Sequence, residues 1–240
     1  MNEIKKHIPN ALTCGNLICG IFGILYVFKG DLITSSALIG IALVFDWLDG
    51  FIARLLHVTS PIGKELDSLA DMVTFGVLPA FMMLNLIEGS CTSGTCTTGL
   101  LGFHKPYIAF SLAVFSALRL AKFNIDTRQS HSFIGVPTPA NAMVVASLPL
   151  IMIYNPELSS LIINYNVLVI YCIVMSYLLV AELPLFALKF KNFSWAENQI
   201  KYIFLFLSVI LLILLKFVAV PAIIIIYILI SMAQNSFQRK

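Results

Sequence analysis

Asp46-Trp-Leu-Asp49-Gly50-Phe-Ile-Ala53-Arg54, eight further residues, then Gly63-Lys64-Glu-Leu-Asp67-Ser-Leu-Ala-Asp71: the reading of the whole chain turns on this stretch. It joins two apolar segments, roughly 31–56 and 64–87, and sets four carboxylates across their junction. On a helix, Asp46, Asp49, Gly50 and Ala53 fall at i, i+3, i+4 and i+7 and share one face. Asp67 and Asp71 are i, i+4 on the next helix, and a short turn through Pro61 and Gly63 brings the two faces together. Gly50 and Ala53 put no bulk between the acids, so a ligand or another backbone can come close. Four acids converging near a membrane surface repel one another and are costly to desolvate, so something positive belongs among them. With oxygen ligands alone and no His or Cys in the cluster, a hard cation such as Mg²⁺, Mn²⁺ or Ca²⁺ is favoured over zinc. Four carboxylates carry enough charge for two such ions.

The surroundings are those of a membrane protein. Of the 240 residues, 59% are hydrophobic and 11% charged, well outside the range of soluble domains. Apolar runs recur along the entire chain, which predicts an all-α, polytopic bundle folded as a single integral-membrane domain, 1–240. About eight spans are expected, near 11–28, 31–56, 64–87, 106–125, 138–154, 161–181, 201–216 and 219–235. With the amino terminus in the cytoplasm, Lys5, Lys6, Arg54, Lys64, Arg119, Lys122, Arg128, Lys189, Lys191, Lys201, Arg239 and Lys240 lie at cytoplasmic ends. Lys29, Lys105 and Lys216 lie on the other side, a division of 12 to 3 that supports both this orientation and an even number of spans. Both termini and the acidic cluster then face the cytoplasm, where nucleotides are. Residues 1–28 lack a small-x-small cleavage site and are read as a retained first helix.

Away from the acids the signals are softer. Pro9-Asn10-Ala-Leu-Thr13-Cys-Gly15-Asn16 opens the first span, with helix capping by Asn10 and close packing at Gly15, Gly20 and Gly23 as the plain reading. Arg119 interrupts an apolar run: it either snorkels to the interface or holds an anion, with Lys122 the better snorkeller. Gly135-Val-Pro137-Thr138-Pro139 makes a rigid start to span five. Glu182, near the end of span six, either faces a cavity, where it could meet an ammonium group, or sits at the interface. Trp47, Trp195 and Tyr202 fit interfacial anchors. Cys14, Cys19 and Cys172 read as packing residues, and Cys91 with Cys96 as a local disulfide if their side is oxidising. His7, His57, His104 and His131 form no readable constellation.

The pattern D-x2-D-G-x2-A-R-x8-G-x3-D-x3-D resembles the signature of the CDP-alcohol phosphotransferases, and every fixed position is matched. Pro9 to Asn16 resembles the P-N-x-L-T-x-x-N opening common in that family. Arg119-Leu-Ala-Lys122-Phe-Asn124 and Phe133-Ile-Gly135-Val-Pro137-Thr138-Pro139-Ala140 are similar to a motif pair of its integral-membrane phosphatidylserine synthases. Lys122 stands where that pattern usually has Arg, which keeps the charge and loses the bidentate fork. The likeness covers roughly 9–141; the last three spans agree only in hydropathy.

The resemblance implies transfer of a phosphatidyl group from CDP-diacylglycerol to L-serine, releasing CMP, with two Mg²⁺ or Mn²⁺ ions. It makes Asp46, Asp49 and Asp67 the principal metal ligands, with Asp71 shared between ligation and general-base work. It assigns Gly50, Ala53, Arg54, Gly63 and Lys64 to the CDP-lipid, and Arg119, Lys122, Asn124, Pro137 and Thr138 to an acceptor or phosphate pocket. It also implies a homodimer in the inner membrane with its active site facing the cytoplasm, and no nucleic-acid partner. Glycerol 3-phosphate, inositol or choline would be other acceptors within the family. A phosphorylated acceptor would want a richer basic cluster, and choline an aromatic cage. A cation transporter is the reading from another class, opposed by acids placed at one end of their spans and by the lack of an inverted repeat.

Overall fold

A computed structural model describes residues 2–58, 60–91, 104–126, 132–186 and 194–238. Cys96, and with it the Cys91–Cys96 pairing, lies outside these residues, as do Arg128, Lys189, Lys191, Arg239 and Lys240.

Helix α1, Asn2–Phe28, runs through Pro9 without a break, so Asn10 is not a capping residue as the sequence suggested. Pro9 is the eighth residue of this helix, beyond its first turn, so the helix forgoes one backbone hydrogen bond there. Asp31 caps α2, Leu32–Leu55, by accepting from the Thr34 N–H at 2.9 Å. After a turn in which His57 takes a φ of 52°, Ser60 caps α3, Pro61–Asp71, with Pro61 in the first turn. The expected third span is not one uniform helix. Directly after Asp71 the chain passes through a π-helical turn, Met72–Val77, before α4, Leu78–Gly89. Across this wider turn, polar, partly exposed α3 continues into a helix buried on nearly every side.

A 3₁₀ turn, Lys105–Ala109, leads into α5, Phe110–Ile125. Strand β1, Ser132–Ile134, precedes α6, Thr138–Tyr154; a 3₁₀ turn and the short α7, Ser159–Ile162, lead to α8, Tyr165–Val180. Strand β2, Pro184–Phe186, pairs antiparallel with β1, Phe133 opposite Leu185. No strand was expected here. Helices α9, Trp195–Leu215, and α10, Ala219–Gln238, complete the chain.

The core centres on α4: Leu78, Met82, Met83 and Ile87 are fully buried, joined by Phe75, Ile39, Leu112, Val145 and Leu168 from the surrounding elements. Helix α1 packs most extensively on α2 and also against α3 and α4. Within Asn198–Gln234 an 18-residue window has a mean hydropathy of 3.1 and is nearly all unburied, while Phe204, Ala219 and Tyr227 turn inward, so α9 and α10 form an outer layer with one face toward lipid. Among the described residues five helices are long and apolar enough to cross a membrane, or six if α6 and the helix bent 117° from it act as one. The fold is therefore an all-α membrane bundle, with the small β1–β2 ribbon as its one departure among the described residues.

Candidate active site

Asp46 and Asp49 on α2 meet Asp67 on α3, one carboxylate oxygen of each lying within 4.8 Å of the others. The carboxylates of Asp46 and Asp67 are within hydrogen-bonding reach of one another. Two carboxylates at that separation require a proton or a cation between them. Asp67 Oδ1 is buried with no hydrogen-bond partner. An orphaned anionic oxygen beside two more carboxylates, with no nitrogen or sulfur donor in the group, fits a hard divalent cation.

Asp71, one turn beyond Asp67, is outside this trio but within electrostatic reach of Asp46, Asp67 and Arg119. Its Oδ1 accepts from Asn16 Nδ2 at 3.1 Å. The Thr13 hydroxyl, with Asp49 Oδ2 at 2.6 Å and the Pro9 carbonyl at 3.1 Å, has one proton, and the shorter, charged partner takes it. Thr13 and Asn16, three apart on α1, thus each hold one acid of the neighbouring helices. The opening motif of α1 therefore does more than pack, and its signal was in the sequence: two polar residues at helical spacing inside an apolar run. Its packing part also stands, for a Cβ on Gly15, Gly20 or Gly23 would meet Phe45, Thr74 or Leu78.

Above the trio lies a cavity of about 470 Å³, into which Thr13, Asp49, Gly50, Ala53, Lys64 and Asp67 project. Gly63 also lines it; a Cβ there would stand 2.8 Å from Asn10 Oδ1, so a larger residue would displace the Asn10 side chain. The exposed Arg54 folds back so that its guanidinium lies 3.9 Å from where a Gly50 Cβ would be. Lys64 Nζ donates to the Asn124 carbonyl at 3.1 Å, and Asn124 Nδ2 donates to Ser68 Oγ at 2.8 Å. These bonds tie α3 to the end of α5.

A second cavity, about 300 Å³, has Arg119 and Lys122 in its wall, with Asp126, Ile134, Leu179 and Glu182. Arg119 is only 7% exposed, which excludes snorkelling. Its Nη1 donates to Thr138 Oγ1 at 3.3 Å, its guanidinium lies 5.2 Å from the Phe123 ring centroid, and its Nε has no partner. Asp71 is the opposite charge within its electrostatic reach, and the idle Nε makes Arg119 a candidate to hold a further anion. Lys122 is exposed at the rim. Thr138 stands behind Arg119, Pro137 precedes α6 at its cap position, and Asn124 turns toward α3.

Residues 6–172 match the CDP-alcohol phosphatidyltransferase family. The chain belongs to that family, whose members are metal-dependent phosphotransferases. It is similar to the CDP-diacylglycerol–serine O-phosphatidyltransferase of Bacillus subtilis, 32% identical over 195 residues, covering 80% of this chain and 96% of the relative. The proteins of the same name from Helicobacter pylori strain J99 and Methanocaldococcus jannaschii are 36% and 35% identical, over 57% and 60% of this chain. Those two matches span 54% and 62% of the relatives' own lengths.

Proposed function

We propose that this chain transfers the phosphatidyl group of CDP-diacylglycerol to the hydroxyl of L-serine, releasing CMP. The observation that carries the reading is the trio Asp46, Asp49 and Asp67, with its orphaned oxygen, at a cavity lined by Gly50, Ala53 and Gly63. The Bacillus relative, aligned over nearly its full length, supports serine as the acceptor.

Two divalent ions, Mg²⁺ or Mn²⁺, held by Asp46, Asp49 and Asp67 with Asp71 sharing in ligation, would neutralise the pyrophosphate and the departing CMP. The protein's own work is placement and proton transfer. Gly50, Ala53 and Gly63 leave room for the nucleotide to lie against the helices, and Arg54 and Lys64 meet its phosphates. Asp71, oriented by Asn16, takes the proton of the serine hydroxyl as that oxygen bonds to the β-phosphorus and the bond to CMP breaks. Arg119, backed by Thr138, receives the serine carboxylate; Lys122 lies at the rim, and Asn124 and Pro137 fix the wall behind.

Eight crossings with both termini cytoplasmic, an active site opening to the cytoplasm and a homodimer in the inner membrane complete the proposal. The 12-to-3 division of basic residues supports the orientation. The test is CMP release by the detergent-solubilised protein given CDP-diacylglycerol, Mg²⁺ or Mn²⁺, and each alcohol in turn. Serine is the expected acceptor; release only with glycerol 3-phosphate, inositol or choline reassigns the substrate.

A further inference from the structure

The cavity around Arg119 carries both signs of charge in a small volume. Its roughly 300 Å³ is at the small end of ligand sites, and Arg119 and Lys122 share the wall with Asp126 and Glu182. Lys122 stands on the last turn of α5, and Asp126 is the residue that ends that helix, already in extended backbone. Arg119 and Glu182 come from separate elements, and the fold brings them to one cavity by a specific device.

That device is the β1–β2 ribbon. The Gly135 N–H donates to the Leu183 carbonyl at 3.0 Å, and the Val136 N–H to the Leu178 carbonyl at 3.0 Å. These bonds flank Glu182 and sew the start of α6 to the end of α8. Gly135 has a φ of 77°, and a Cβ there would stand 2.5 Å from the Leu179 carbonyl oxygen. The ribbon closes only with glycine at that position. The same short segment presents Thr138, whose hydroxyl holds Arg119. One piece of backbone thus positions the cation directly and the loop bearing the carboxylate directly.

We infer that Glu182 receives the ammonium group of an amino-acid acceptor whose carboxylate rests on Arg119, and so selects an amino alcohol over polyols. Resting on the serine reading above, it adds the residue that recognises the second charge of the zwitterion. A carboxylate and a guanidinium in one small cavity match the two opposite charges of such an acceptor, whereas a phosphorylated acceptor is repelled by the carboxylate.

The test is the Glu182→Gln protein, assayed for CMP release with L-serine as acceptor and 3-hydroxypropionate as competitor. The competitor keeps the hydroxyl and carboxylate and lacks the ammonium. The KM for serine is expected to rise about 10–100-fold, the loss typical of a charged hydrogen bond. The kcat and the KM for CDP-diacylglycerol stay within a few-fold, Glu182→Asp recovers most of the loss, and the competitor's inhibition constant does not move. An unchanged serine KM, a parallel weakening of the competitor, or a KM rise carried by Asp126→Asn instead overturns the inference. Wild-type protein that turns over an uncharged alcohol but not serine removes the serine reading itself, a result distinct from any of these.

Discussion

The cavity above the acidic trio draws its polar groups from α1, α2 and α3, all within residues 9–67, whereas the cavity around Arg119 gathers residues 119–126, 134 and 179–182 across two loops and a ribbon. In the first, helical periodicity alone puts the acids on facing surfaces, and three small residues keep the space between them open. In the second, nothing local predicts that Glu182 and Arg119 share a wall; the antiparallel pairing of β1 with β2 decides it. The difference matches the chemistry each would perform. A metal and pyrophosphate site tolerates little displacement, and rigid helices that pack directly on one another hold it. An acceptor site distinguishes members of one family, and segments joined by loops can vary without disturbing the ions.

The contrast can be broken first at the trio. Asp67→Asn removes the oxygen that has no protein partner, and turnover should fall by about three orders of magnitude or more, since a metal's charge stabilisation amounts to several kcal/mol. Chelation should do the same to the wild-type protein, with recovery on adding Mg²⁺ or Mn²⁺; full activity in chelator would falsify the metal assignment. Asp71→Asn should cost about 10²–10⁴-fold in kcat while CDP-diacylglycerol still binds, as expected for loss of a general base. An active Asp71→Asn protein removes that role. Thr13→Val deletes the hydroxyl donated to Asp49, and the activating metal concentration should rise about 10–100-fold, the usual effect of losing a group that orients a ligand. If the metal requirement is unaltered, α1 only packs. Gly135→Ala should cost about 1–3 kcal/mol of local strain. It should raise the KM for serine several-fold while leaving that for CDP-diacylglycerol unchanged. Equal effects on both substrates would show that the two cavities are not built independently.

The acidic motif was legible because within each of its two helices the acids lie at helical spacing, Asp46 with Asp49 and Asp67 with Asp71, and only a short turn separates the helices. The membrane bundle was legible because backbone polar groups in lipid must be satisfied within helices, so hydropathy alone identifies them. Less of the third span could be read: the π-helical turn at Met72–Val77, where polar α3 gives way to apolar α4, leaves no compositional mark of its own. Asn10 looked like a cap because it stands where the first apolar span opens, yet α1 starts earlier and puts it beside Gly63. Arg119 left two readings open, and burial chose between them. Asn124 and Thr138 could be placed near a pocket by motif, but whether each lines it or braces it depends on partners 56 and 19 residues away.

By itself the amino-acid order determined an all-α membrane protein of a recognisable family, with four carboxylates on two adjoining helices, because helix periodicity and hydropathy are local properties; that three of the four gather at one point is a tertiary fact. Only the tertiary structure decided which oxygen is left without a partner, which side chains of α1 hold the acids, and that Glu182 stands in the wall of the Arg119 cavity. Those facts depend on contacts between segments far apart in the chain, and no spacing rule within a single segment encodes them.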